Sequence, residues 1–424
     1  MTLNPELPVI SERIQGYSFT WVEQGITIEA SKVQVHKSDN RVTGELTVFA
    51  SDSEGGLAGI YPPTSFNFTS GRTRVELANI LIKKGYGAIP WSVLIDQLCY
   101  GVEDRARRGE PVLELWTHDE VAELEYLIDP VLIKGVPTII FGEKGVGKST
   151  LALVFYLCLI LPWHDNPLGL VAPKRPVKTL VLDYELPGYI AQRNMKRLVE
   201  GMDIASIPLF HRRCSAPLAD ELEQVSNHIA NMKAEVIIID SLARACGGDL
   251  IKTEPANAFF EALDKLNTTS LIIAQTSKDI ESKHKTIYGN ALFTYYARSI
   301  FELCQADTLQ ENSIDIALFH RWSNLDKRHK DMGFKINYNG HHTSIESQPV
   351  SLEEFSERVS SQRKLLELLK RGAMKPKTIA EALGSSEGAT RVLLSKLKKR
   401  GQLVQVAEGW GLKTKTPENE PKKC

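Results

Sequence analysis

Apolar and polar residues alternate along Tyr17–Glu23, Gly25–Val35 and Arg41–Ser51, and these runs are rich in β-branched and aromatic side chains. A period of two with that composition predicts strands with one buried face, and Gln24-Gly25 and Ser38-Asp39-Asn40 supply the turns between them. A small antiparallel sheet is therefore expected over residues 15 to 55 or so. From Arg72 the period changes: Val75–Gly85 and Trp91–Gly109 space their apolar residues at three and four, which predicts two helices. Thr64–Thr73 (TSFNFTSGRT), dominated by Ser, Thr, Asn and Gly, reads as a loop between sheet and helices.

After a linker, Thr117–Pro137, strand and helix patterns take turns. Thr138–Phe141 is a short apolar strand and Leu151–Leu161 a helix. The strands Lys178–Glu185, Leu209–Arg212, Glu235–Asp240 and Ser270–Gln275 follow. The helices among them run over Gly188–Met202, Ala219–Met232 and Pro255–Asn267. Strands separated by helices of that length predict an α/β fold with a parallel, helix-covered sheet. Ala297–Leu303, Ser313–Arg321 and Gly333–Tyr338 look like further strands, in an antiparallel extension.

The last globular stretch has its own pattern. Ser360–Gly372 and Lys375–Leu383 read as helices, Gly384-Ser385-Ser386 as a turn, and Glu387–Gly401 as a longer helix. Gln402–Leu412 alternates around Glu408-Gly409 as a hairpin does. This order resembles the winged helix-turn-helix fold. In the Glu387–Gly401 helix Thr390, Arg391, Leu394 and Lys398 follow at spacings of one, three and four, so Arg391 and Lys398 are expected along nearly one face, with Val392, Leu393 and Leu397 toward the core. Four segments result: an N-terminal α+β accessory domain over residues 1–118, an α/β domain with a parallel sheet over 119–349, a winged helix over 350–413 and a disordered polar tail over 414–424.

Charge sharpens this division. Ser360–Lys413 holds twelve Lys/Arg against four Asp/Glu, so it carries +8 in a chain whose net charge is −1. A basic end on an acidic body points to a polyanionic partner there, and with this helical order the partner is duplex DNA. Arg391 would reach base edges, and Lys398 and Lys399 would meet phosphates. The six cysteines show no C-x-x-C pair and no zinc spacing, so a reducing, cytoplasmic setting without structural metal is expected. The opening residues lack a signal pattern, and the apolar run Leu151–Trp163 is too short to span a bilayer.

The stretch with the sharpest chemistry is Val136–Thr150, VPTIIFGEKGVGKST. Gly142, Gly147, Lys148 and Ser149 fit G-x-x-x-x-G-K-[ST], and a strand precedes and a helix follows, as a phosphate-cradling loop requires. Gly142, Glu143, Lys144, Gly145, Val146, Gly147, Lys148, Ser149 and Thr150 would wrap ATP. Glycines allow the tight path, and the helix N-terminus favours the anion. Lys148 would reach the β- and γ-phosphates, and Ser149 would place its hydroxyl on Mg²⁺. Three further polar residues close strands, where ligands of open α/β sheets bind. Asp240 would hold Mg²⁺, Glu185 would act as general base on water, and Gln275 would contact the γ-phosphate.

The set GEKGVGKST, DYELPG, VIIIDSLAR and AQTSK resembles the RecA-like ATPases, in particular the hexameric replicative helicases that include RepA and DnaB. The resemblance covers Leu132–Tyr338 and departs from the family in carrying Gln275 where histidine is common. It implies a homo-hexameric ring that hydrolyses ATP between subunits, in replication of a plasmid or phage-like element. Within it Arg298 matches the arginine finger, with Arg321, Lys327 and Arg328 as rivals, and Lys278, Lys283 and Lys285 would face single-stranded DNA in a central channel. Two other roles remain open at this point: a recombination mediator forming filaments, and a DNA-binding regulator switched by nucleotide. The partner of the N-terminal segment is unknown.

Overall fold

The computed structural model describes residues 6–13, 16–36, 38–51, 56–109, 112, 114, 123–277, 285–306, 311–351, 355 and 361–413. Five strands open the chain: β1 (Val9–Arg13), β2 (Gly16–Trp21), β3 (Ile26–Val35), β4 (Val42–Ser51) and β5 (Leu57–Asn67). They form an antiparallel meander in that order. Helices α1 (Gly71–Lys83) and α2 (Trp91–Arg108) cover one face. Phe19, Trp21, Ile28, Leu46 and Val48 of the sheet pack there with Leu81, Leu94, Leu98 and Val102 of the helices.

Thr64–Thr73 is not the expected loop. Its first half completes β5, with Thr43 opposite Asn67, because Phe66 and Phe68 plug the core of this sheet. Its second half starts α1, where the Ser70 side chain caps the Thr73 N–H. Pro62 and Pro63 fit β5 because it is an edge strand, with one row of N–H groups that needs no partner.

The body of the chain begins with the small hairpin β6 (Tyr126–Ile128) and β7 (Leu132–Ile133). Then come β8 (Pro137–Gly142), α3 (Lys148–Ile160), β9 (Thr179–Asp183), α4 (Gly188–Gly201), β10 (His211–Arg213), α5 (Leu222–Met232), β11 (Val236–Asp240), α6 (Leu242–Cys246), α7 (Thr253–Leu266), β12 (Thr269–Gln275) and α8 (Leu292–Tyr296). Four strands finish it: β13 (Ser299–Gln305), β14 (Ser313–Ser323), β15 (Met332–Asn339) and β16 (His342–Gln348).

Nine of these strands make one sheet in the order β10-β9-β11-β12-β8-β13-β14-β15-β16. The first six run parallel and the last three antiparallel. The expected mixed α/β architecture with a large, mostly parallel sheet is therefore present. Its central strands are apolar on both faces, as strands covered by helices on both sides must be. Ile140, Val181, Ile238 and Leu271 face α3, whereas Ile139, Leu182, Ile239 and Ile272 face the α6–α7 side. Helix α3 is buried almost all round, which explains why its sequence shows no polar stripe.

Two strand expectations change. Ala297–Leu303 was expected in the antiparallel extension, yet β13 runs parallel to β8 with Phe301 opposite Ile140. The segment holding α8 carries the chain back to the start of β8, where the Arg298 N–H meets the Pro137 carbonyl, and only a parallel strand can leave from there. Strand β10 lies two residues beyond the start of the Leu209–Arg212 expectation, and β1 and β16 were not foreseen because both are edge strands with few buried positions.

The C-terminal elements are α9 (Ser361–Leu369), α10 (Pro376–Leu383), α11 (Glu387–Lys399), β17 (Leu403–Val406) and β18 (Gly409–Leu412). Leu365, Leu369, Ile379, Leu394, Leu397 and Leu403 form a core of their own. The hairpin turns at Ala407-Glu408, one residue ahead of the expectation, with Val406 opposite Gly409. Arg363 of α9 pairs with Asp331 beside β15. The tail 414–424 lies outside the described residues. No helix among the described residues is long and apolar enough to cross a membrane.

The lower end of the sheet, where β8 starts, is closed by a ring stack. Phe301 lies on His320 at 4.3 Å and His320 on His329 at 5.4 Å, and Tyr126 meets His329 edge-on. The His329 N–H donates to His320 Nδ1 at 3.0 Å, so the proton sits on Nε2 and points at Ser299 Oγ, 3.1 Å away. Burial, aided by His329, lowers the His320 pKa from 6.5 to about 4. The folded chain thus stays neutral at this ring where the unfolded chain takes up a proton, so this stability is full above pH 6.5 and is lost as pH falls toward 4. Urea unfolding of His320→Asn should show a pH 7 to 4.5 stability drop smaller than the wild type's by about 1 to 2 kcal/mol. Equal drops would remove His320 from the acid limb.

Candidate nucleotide site

Strand β8 delivers its carboxyl end into the middle of the sheet, with β12 on one side and β13 on the other. Gly142 ends it, and a Cβ there would lie 2.3 Å from the Leu303 carbonyl oxygen, so no other residue lets the strands approach this closely. The loop then turns through Gly147, whose φ of 86° precedes the first residue of α3. Val146 is the one loop side chain sunk into the core, while Glu143, Lys144 and Gly145 are exposed.

Lys148 opens α3 and bends back over the loop. Its Nζ donates to the Gly142 carbonyl at 2.9 Å and the Glu143 carbonyl at 2.5 Å. Burial lowers its pKa, opposed by the nearby carboxylates of Asp240, Glu185 and Glu143. An ammonium held by two carbonyls, with its charge only partly balanced, is poised for an anion. The next two hydroxyls have titratable neighbours: Ser149 stands beside Asp240, and Thr150 beside Tyr338.

Asp240 ends β11, in register with Asp183 of β9 and Ile273 of β12. Burial raises its pKa to about 6; the Ser149 hydrogen bond opposes this, and Glu185 and Asp183 add to it. A half-buried carboxylate beside a hydroxyl, disfavoured as a bare anion, is the oxygen set that a hard divalent cation relieves. The glycine loop with the Lys148 ammonium folded over it, and this oxygen pair, both fit a Mg²⁺-bound triphosphate.

Glu185 stands two residues beyond β9, exposed, with its Oε1 accepting the Ser241 hydroxyl at 2.6 Å. Gln275 ends β12 beside Gly142, and its carbonyl accepts the Tyr288 N–H. The structure therefore brings Lys148, Ser149, Asp240, Glu185 and Gln275 to one edge of the sheet.

Other expected residues lie elsewhere. Arg298 is exposed at the opposite end of β8, about 17 Å of strand from Gly142. Lys327 and Arg328 share that lower end, in the turn after β14. Arg321 binds the buried carboxylate of Glu302 at 2.6 Å and covers the Phe319 ring. Lys285 forms an ion pair with Glu143, on the phosphate loop itself. Lys278 and Lys283 lie outside the described residues.

In α11, Thr390 is no DNA contact in this conformation: it is buried, with its hydroxyl on Ser385 Oγ at 2.8 Å. Val392 is expected in the core, yet it is exposed; Leu394 joins Leu397 there, with Leu393 packed against them, so the buried face is turned part of the way toward Thr390. Arg391 pairs with Glu387 one turn earlier, Lys398 covers the Trp410 ring at 5.6 Å, and Lys399 is exposed.

Asp183 is a further residue of this site, outside the set that the sequence motifs single out. Its carboxylate is 5% exposed, and Oδ1 accepts the N–H groups of Glu185 and Leu186 while Oδ2 faces His211 Nε2 at 3.2 Å. Burial pushes its pKa up, and these hydrogen bonds outweigh it, so the net shift is downward. The signal was legible as Asp-x-x-Leu-Pro, an aspartate turn ahead of a helix.

Residues 103–281 match the family model described as an AAA domain. No curated protein matches the chain. Among solved structures, a KaiC-like protein of the hyperthermophilic archaeon Pyrococcus horikoshii OT3 is similar at 15% identity, over 53% of this chain and 94% of that one, with a TM-score of 0.36. The matched stretch takes in the phosphate loop, Glu185, Asp240 and Gln275.

Gly142→Ala tests the tightness of this site. Pushing β13 off β8 should lower stability by about 2 kcal/mol or more and abolish nucleotide binding. A variant of wild-type melting temperature that still binds a fluorescent ATP analogue would show that the strands separate freely.

Proposed function

We propose that this chain is a Mg²⁺-dependent ATPase acting on DNA, a RepA-like ring motor built as a homo-hexamer. In this reading the C-terminal helices and hairpin are a winged helix-turn-helix that grips duplex DNA, and residues 1–118 recruit a partner. The observation that carries the hydrolytic part is the convergence of Lys148, Ser149, Asp240, Glu185 and Gln275 at one sheet edge.

The residues divide the work by their chemistry. A triphosphate would draw Lys148 Nζ from the Gly142 and Glu143 carbonyls toward the β- and γ-phosphate oxygens. Ser149 and Asp240 would hold Mg²⁺, which supplies charge neutralisation to those oxygens. Glu185, an exposed carboxylate already accepting an O–H, would take the proton of the attacking water. Gln275, tied to Gly142 through the sheet, would register the γ-phosphate.

Support for an assembly comes from Arg298. An exposed arginine at the far end of β8 cannot serve its own phosphate loop but can serve a neighbour's. The +8 charge of Ser360–Lys413, with Arg391, Lys398 and Lys399 on α11, supports duplex DNA as partner.

Lys148→Ala should lower phosphate release by at least about 10²-fold, and Glu185→Gln should do the same with ATP binding retained. Turnover within about threefold of wild type in Lys148→Ala would refute the assignment of this loop. For DNA, anisotropy with a labelled duplex should show affinity falling with salt, and Lys399→Ala should flatten the log–log slope by about one. Binding indifferent to salt would hand the C-terminal elements to a protein partner.

A further inference from the structure

The turn that carries Glu185 is held more firmly than a surface turn needs. Asp183, at the end of β9, spends Oδ1 on the N–H groups of Glu185, at 2.8 Å, and Leu186, at 2.7 Å. Oδ2 faces His211 Nε2 at 3.2 Å, and a carboxylate only accepts, so that ring nitrogen carries the proton. The backbone is pinned as well: the Tyr184 N–H donates to the Asp240 carbonyl at 2.7 Å, and Arg244 Nη1 donates to the Tyr184 carbonyl at 3.0 Å. The Glu185 side chain has its own anchor in Ser241 Oγ.

Burying an aspartate this deeply costs several kcal/mol unless every lone pair is used. An uncharged Asn or Ser could build the same turn. Here the charge sits in register with Asp240, where a second carboxylate is unwelcome, and His211 reaches over from the edge strand β10 to satisfy it. Gly188, at the start of α4, lies against the His211 ring, where an added Cβ would stand 3.7 Å from Nδ1. The histidine, the aspartate and the turn thus make one packed unit two residues from Glu185.

We propose that Asp183 and His211 are positioning residues for hydrolysis: His211 orients the Asp183 carboxylate, and that carboxylate holds the Glu185 backbone so that its side chain meets the attacking water. This rests on Glu185 being the general base. Neither residue belongs to the phosphate loop, and the hydrogen bonds of Asp183 go to the turn and to His211, so their loss should slow turnover without weakening ATP binding.

The test uses the full-length chain and reads kcat, KM for ATP, and the affinity for a fluorescent ATP analogue. Asp183→Ala and His211→Ala should each lower kcat about tenfold or more, with KM and analogue affinity within about twofold of wild type. His211→Gln, whose amide N–H can take the place of Nε2–H, should recover most of the loss. On a Glu185→Gln background, His211→Ala should cost nothing further, because the group it positions is already inert. If Glu185→Gln slows turnover but His211→Ala keeps kcat within twofold, or adds its full loss on the Glu185→Gln background, positioning is overturned while the general base stands. A fall in analogue affinity that parallels kcat makes the unit a plain structural support and also overturns it. If Glu185→Gln itself turns over normally, the general base falls, and this inference falls with it.

Discussion

The constraint on which the rest depends is that β8 is hydrogen-bonded along both edges. Strand β12 sets Gln275 against Gly142 on one side, and β13 sets Leu303 against it on the other. A strand held so cannot slide, and its last residue must be glycine because a carbonyl of β13 fills the space of a Cβ. Everything chemical is placed relative to that fixed end. The phosphate loop starts from it, Lys148 folds back to its carbonyl, and the Thr276 N–H reaches the same carbonyl from β12.

The other parallel strands extend this frame sideways. Asp240 and Asp183 arrive at the same level because β11 and β9 pair in register, and Ser149 comes down from α3 to share the Asp240 carboxylate. Two acids so close raise each other's proton affinity, and the fold answers them differently. Asp183 receives hydrogen bonds from two backbone amides and His211, and its pKa falls. Asp240 has only the Ser149 hydroxyl and Lys148 to oppose its burial and stays high, which leaves it open to a cation. The division of roles between two chemically identical groups follows from who their neighbours are.

The antiparallel strands do work for the site although they carry none of its chemistry. Ile336 of β15 lies against Gly147, and Tyr338 stands beside Thr150, so the start of α3 is backed by β15. Lys285 ties the segment after β12 to Glu143. A displacement of that segment would be felt directly at the phosphate loop, because Glu143 also offers its carbonyl to Lys148.

The sequence by itself determined the strand–loop–helix at Val136–Thr150, the alternation of buried strands and helices, and the strand ends at Asp240 and Gln275. Each of these is a local pattern: a glycine spacing, a period, or a polar residue closing an apolar run. Tertiary structure decided what depends on partners distant in sequence. Thr64–Thr73 looked like a loop because its composition is polar, and two phenylalanines packed into a core built by other segments made it strand and helix. The direction of β13 depended on the path of the chain before it, the pairing of Arg321 with Glu302 on a neighbouring strand, and the burial of Thr390 on the face that α11 turns to its core. Asp183 and His211 stand 28 residues apart and meet only because β10 lies beside β9. Spacing along a chain reports contacts within one element, whereas strand order and helix phase are set by the burial of whole faces, which no single segment encodes.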